Sequence, residues 1–113
     1  MHELSIVTSI IKTAEKEVEN GGGVKVLEIY LEIGKLSGVE IQSLNFVWEL
    51  SANGTVLQDS KVIITEPEGR AKCAECDMEY RLGKIYDSCP KCNSPFKNII
   101  SGKELKIKKL IIN

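Results

Sequence analysis

Residues 73–92 read CAECDMEYRLGKIYDSCPKC, two CxxC pairs with twelve residues between them. This spacing suits two knuckle turns that meet around one tetrahedral ion, with Cys73, Cys76, Cys89 and Cys92 as thiolate ligands. Zinc favours such a set at about 2.3 Å, and four protein ligands leave no open position for a substrate, so the expected ion is structural. Iron in a rubredoxin-like tetrathiolate is the rival, since ligand softness does not separate the two metals. Aromatic residues near the pairs are few, Tyr80, Tyr86 and Phe96, which disfavours an electron carrier. A thioredoxin-type redox pair would open a helix after a strand, whereas both pairs here sit in loop-rich sequence.

Around this stretch, from Gly69 to Phe96, cysteine, glycine, proline and charge replace apolar periodicity. The segment is expected to lack a hydrophobic core and to be held by metal, whose coordination contributes roughly 10–16 kcal/mol of apparent folding free energy. On its C-terminal side, residues 103–112 (KELKIKKLII) have a strand pattern, with Leu105, Ile107 and Ile111 on one side. On its N-terminal side, KVIITE at 61–66 reads as a strand closed by Pro67. Ile41, Leu44, Val47 and Trp48 have helical spacing, with Gly54 as the stop. VKVLEIYLEI at 24–33 alternates, placing Leu27, Ile29, Leu31 and Ile33 on one face. Leu4, Val7, Ile10, Ile11, Ala14 and Val18 mark an amphipathic helix that Asn20-Gly21-Gly22-Gly23 ends.

The expected fold is therefore α+β: two helices packed on a small three-stranded sheet, with an inserted zinc-ribbon-like lobe held by two CxxC knuckles. Residues 1–69 and 98–113 form the α/β domain, and residues 70–97 form the lobe. A chain of 113 residues buries roughly two-thirds of its unfolded surface, enough for one main core.

Composition narrows the function. The chain is 42% hydrophobic and has no apolar run long enough to span a bilayer. Its N-terminus lacks the basic start and apolar stretch of a secretory signal. A cytoplasmic location is expected, and in that reducing compartment paired cysteines favour metal over disulfides. Residues 1–69 carry 5 Lys and Arg against 11 Asp and Glu, while residues 70–113 carry 10 against 5. A zinc tetrathiolate adds about −2 to the basic half, which weakens the case for nucleic acid as a partner.

His2 is the only histidine. A lone surface histidine is more often incidental than a ligand. At position 2, however, the Met1 amine, the His2 backbone nitrogen and the His2 imidazole can chelate one ion in fused rings. The Glu3 backbone nitrogen can complete a square, and square-planar nitrogen ligation selects Ni(II) or Cu(II). A bulky second residue is expected to preserve Met1 and its amine. The Glu3 carboxylate has two readings, a ligand or a stabiliser of the first helical turn through the dipole.

Met1-His2-Glu3-Leu4-Ser5, LEIYLEIGKLSGVE at 27–40, Gly54-Thr55, the CxxC…CPxC segment and the closing GKELKIKKL together resemble the HypA/HybF family of hydrogenase-maturation nickel metallochaperones. The resemblance covers nearly the whole chain. It implies nickel binding through Met1, His2 and Glu3, a structural zinc on Cys73, Cys76, Cys89 and Cys92, and no catalysis. It also implies docking with a maturation GTPase or related ATPase and with the precursor of the [NiFe]-hydrogenase large subunit; from composition and charge, no membrane or nucleic-acid partner is expected. A homodimer formed by exchange of an edge strand is compatible with an inserted lobe.

Two departures stand out. Asp77 and Asn93 follow the second cysteines, where some relatives carry a histidine able to reach nickel, and Ile41 and Trp48 replace the family's usual helix-2 residues. The alternative function is a zinc-ribbon interaction module without specific nickel binding, contacting nucleic acid through Lys97, Lys103, Lys106, Lys108 and Lys109. An enzyme is disfavoured, because spacing assembles no nucleophile, base and orienting group.

Overall fold

The computed structural model describes residues 3–113. Helix α1 (Glu3–Asn20) is followed by β1 (Val26–Ile33), α2 (Ile41–Ser51) and β2 (Lys61–Thr65). Three short strands come next, β3 (Arg70–Cys73), β4 (Glu79–Arg81) and β5 (Lys97–Ser101), and β6 (Leu105–Ile112) ends the chain. The strands form two three-stranded sheets, ordered β2-β1-β6 and β4-β3-β5. The architecture is α+β, as expected, with a second sheet that the apolar pattern did not announce.

Packing divides the chain into two compact units. The first runs through Leu31 and includes Val39–Ile64 and Ile107–Asn113; the second comprises Glu32–Gly38 and Thr65–Lys106.

In the first unit, α1 buries Ile6, Val7, Ala14 and Val18. Its end follows from glycine: Gly22 takes a φ of +68°, the Gly23 amide donates to the Val18 carbonyl at 3.0 Å and the Gly22 amide to the Glu19 carbonyl at 3.3 Å. This pair of bonds is a Schellman stop. Helix α2 packs against α1 and buries Leu44 and Trp48. The Glu40 carboxylate caps α2 by accepting the Gln42 amide at 3.4 Å.

Strand β1 is central in its sheet. At one end of the β1–β6 pair the Val24 amide donates to the Asn113 carbonyl at 2.6 Å, and at the other the Gly34 amide donates to the Glu104 carbonyl at 2.8 Å. The two strands therefore run antiparallel.

The inward faces differ in places from the alternation. Leu4 is exposed, and Ile6 takes the core position at the start of α1, with Ile10 and Ile11 half-buried. Leu27 is 42% exposed and Val26 is buried in its stead, so β1 changes phase between Val26 and Ile29. In β6, Leu105 and Ile111 are exposed, while Ile107, Leu110 and Ile112 are half-buried. Strict period two fails because each strand shifts phase once along its length.

The second unit corrects a further expectation. Ala71, Cys73, Tyr80, Leu82 and Cys89 form a buried cluster, against which Leu36, Cys76 and Ile99 pack. The cysteine segment thus has a small core of its own, assembled from alternate residues of very short strands and from Leu36, which is distant in sequence. Close backbone packing frames it. Gly102 has a φ of +109°, and a Cβ there would sit 2.6 Å from the Gly69 Cα. Only glycine tolerates both conditions.

Candidate metal centre

Strands β3 and β4 form an antiparallel hairpin, with Arg70 opposite Arg81, Ala71 opposite Tyr80 and Lys72 opposite Glu79. Its turn is the first knuckle, Cys73 to Cys76. The second, Cys89 to Cys92, lies in the connection from β4 to β5, and β5 returns antiparallel to β3. The two knuckles repeat one backbone pattern. Asp77 donates to the Cys73 carbonyl at 3.1 Å, and Asn93 donates to the Cys89 carbonyl at 2.8 Å. The Cys73 amide reaches the Met78 carbonyl at 2.8 Å, and the Cys89 amide reaches the Ser94 carbonyl at 3.0 Å.

Each knuckle turns on a left-handed residue, Asp77 at φ 63° and Asn93 at φ 62°. Aspartate and asparagine are the side chains that enter this region most readily after glycine. The two residues read from sequence as departures from a ligand are therefore the pivots of the turns.

This symmetry brings the four thiols together. Their sulfurs all lie within 4.8 Å of one another, with Cys73 and Cys92 at 3.5 Å and Cys76 and Cys89 at 3.6 Å. A tetrahedral ion with 2.3 Å bonds to sulfur requires sulfur separations of about 3.8 Å, so the set fits one zinc. All four cysteines are free, and Cys73 and Cys89 are buried. A zinc there supplies charge and crosslinking.

The backbone prepares the sulfurs for that role. The Glu75 and Cys76 amides point at the Cys73 sulfur at 3.4 and 3.5 Å, and the Lys91 amide points at the Cys89 sulfur at 3.4 Å. Donation from the Cys76 and Glu75 amides lowers the Cys73 thiol below its usual range. The Cys92 amide, helped by Lys91 and opposed by burial, draws Cys89 down to about 7. At Cys92 the Ser94 amide acts downward, but hydrogen bonding with Cys73 and burial outweigh it and push the thiol up to about 12. Burial raises the Tyr80 hydroxyl above its ordinary 10.0, and the charges of Cys89, Cys73, Cys92 and Asp87 add to the effect.

Of the expected nickel residues, Met1 and His2 lie outside the described residues. Glu3 begins α1 and is half-buried. One of its carboxylate oxygens accepts the Glu40 amide at 3.3 Å. The carboxylate therefore links the start of α1 to the cap of α2. Sequence reasoning did not single out Glu40, although an acidic residue just before a helical run is a legible capping signal. Among the five lysines of the alternative reading, Lys97 donates to the Ile85 carbonyl at 3.0 Å, and Lys109 lies 4.3 Å from the Tyr30 ring centroid. No described helix is long and apolar enough to cross a membrane.

Comparison with known proteins places these features in context. The sequence model of the family described as "Hydrogenase/urease nickel incorporation, metallochaperone, hypA" matches residues 1–112. A hydrogenase maturation factor HypA from Parabacteroides distasonis is 39% identical over 112 residues, 99% of this chain and 97% of that protein. The protein of the same description from Francisella philomiragia is 37% identical over 113 residues, 100% of both chains. The solution structure of the nickel metallochaperone HypA from Helicobacter pylori superposes with a TM-score of 0.72 at 24% identity, covering 99% of this chain and 97% of that one. Another solution structure of a HypA protein gives 0.74 at 23% identity, covering 100% and 97%. At those identities the two structures establish a shared fold.

Proposed function

The chain belongs to the HypA family of hydrogenase/urease nickel-incorporation metallochaperones, and from that premise we propose that it binds Ni(II) at its N-terminus and delivers it during [NiFe]-hydrogenase maturation. The Met1 amine, the His2 backbone nitrogen and imidazole, and Glu3 provide the nickel ligands. Cys73, Cys76, Cys89 and Cys92 hold the structural zinc. Labour is divided accordingly, with the unit that contains α1 and α2 carrying nickel and the unit that contains the four cysteines forming the zinc lobe. The partners are a maturation GTPase or related ATPase and the hydrogenase large-subunit precursor, met in the cytoplasm.

One observation supports this most strongly: a family match that runs from residue 1, and so includes the Met-His-Glu start. The Glu3 carboxylate is engaged by the Glu40 amide, which leaves the Glu3 backbone nitrogen as the donor better suited to complete a square of nitrogens. A site built from the chain terminus suits a carrier, because few protein ligands allow the ion to pass to a deeper site.

The test is nickel titration of tag-free protein beside His2→Ala, following the absorption of square-planar nickel. About one nickel per chain, lost in the variant, is the expected result; equal binding by both overturns the proposal. Protons compete for the same nitrogens. Affinity therefore falls as pH drops through the range where the amine and the imidazole take up protons. An isotherm series from pH 8.5 to 6 checks this sign.

A further inference from the structure

Tyr80 is 95% buried in the core of the second unit, at 5% relative exposure. Its hydroxyl is the one buried side-chain oxygen or nitrogen without a hydrogen-bond partner among the described residues. Native interiors rarely leave such a group unmatched, and each instance calls for a partner or a role. Packing does not account for it, since phenylalanine would fill the same ring volume without the oxygen.

The surroundings narrow the choice of partner. Tyr80 faces Ala71 across the hairpin and shares its buried cluster with Cys73 and Cys89. The rest of that cluster, Ala71 and Leu82, is apolar. When four thiolates hold one divalent ion, the centre carries a net charge of about −2, and its sulfurs are strong hydrogen-bond acceptors. Backbone amides already serve Cys73 and Cys89 from the knuckle side. Tyr80 is the only side-chain hydroxyl in the buried cluster they share.

We propose that Tyr80 is a positioning residue of the thiolate centre: with the ion bound, its hydroxyl donates to the buried sulfur of Cys73 or Cys89 and slows metal loss from the lobe. This rests on the zinc reading above and extends it. A hydrogen bond to a coordinated thiolate lowers the energy of the sulfur lone pairs. It therefore shifts charge transfer from sulfur to metal, a signature that ring packing does not control. Outer-shell partners of this kind commonly change metal affinity by roughly 10- to 100-fold.

The experiment loads the full chain with Co(II) in place of zinc and compares wild type, Tyr80→Phe and Leu82→Val. Two quantities are read, the position of the sulfur-to-cobalt charge-transfer band and the rate of metal transfer to EDTA. Tyr80→Phe should move the band to longer wavelength and speed transfer roughly tenfold. Leu82→Val, which loosens the same core but keeps the hydroxyl, should speed transfer while the band stays in place. An unmoved band in Tyr80→Phe overturns the proposal, as does an equal shift in Leu82→Val. A wild-type protein without a tetrathiolate cobalt spectrum instead overturns the zinc reading beneath it.

Discussion

Single residues in this chain act through backbone conformation as much as through side-chain chemistry. Asp77 and Asn93 ligate nothing in the cluster, yet their left-handed φ values close the two turns that aim the sulfurs. Cys73 contributes a thiol that is also buried core. Cys73→Ser should therefore lose both metal and packing, and elemental analysis of the purified variant should find well under one zinc per chain. Retention of a full equivalent would mean that the ion is held by other groups. Glu3 is a gentler case. Its bond to Glu40 is exposed and 3.3 Å long, so Glu3→Ala should cost under about 1 kcal/mol. Thermal unfolding should then shift downward by no more than a few degrees.

Elements were legible where local rules suffice. The 3.6-residue period in α1 and α2, the triple glycine after Asn20 and the alternation in β1 rest on neighbours in sequence, and each produced the expected element. Strand phase was less legible. Val26 rather than Leu27 turns inward, and β6 half-buries Leu110 while Ile111 stays exposed, because which residue faces inward depends on cross-strand pairing. Strands β3, β4 and β5 were missed for a related reason: at three to five residues each, they are too short to show a period. The Schellman stop gives a direct test at this scale. Gly22→Ala places a Cβ on a residue at φ +68° and should cost about 1 kcal/mol in chemical denaturation, with little change in m-value.

At the scale of the molecule, metal and apolar burial hold different parts of the chain. The first unit buries Val7, Ile29, Leu31, Leu44 and Leu57 almost completely, whereas the second has a few apolar residues beside four free thiols. Chelation should therefore act unevenly. With EDTA, hydrogen exchange should accelerate by orders of magnitude across residues 70–101, while the amides of α1 and α2 keep most of their protection. Equal acceleration throughout would show one cooperative structure dependent on the ion. Acid should act in the same direction as EDTA, because protons compete with zinc for the thiolates.

The sequence by itself determined the parts that depend on spacing along the chain. These are the two knuckles and their shared ion, the two helices and the glycine end of the first, the α+β class, and the family to which the chain belongs. Tertiary structure alone decided which strand residues face inward, that the cysteine segment has a sheet and core of its own, that Glu3 meets Glu40, and that the Tyr80 hydroxyl is buried without a partner. The physical reason is the range of the interactions. Ligand spacing, helical period and glycine conformation act over a few residues, whereas burial and hydrogen-bond satisfaction depend on segments tens of residues apart meeting in space.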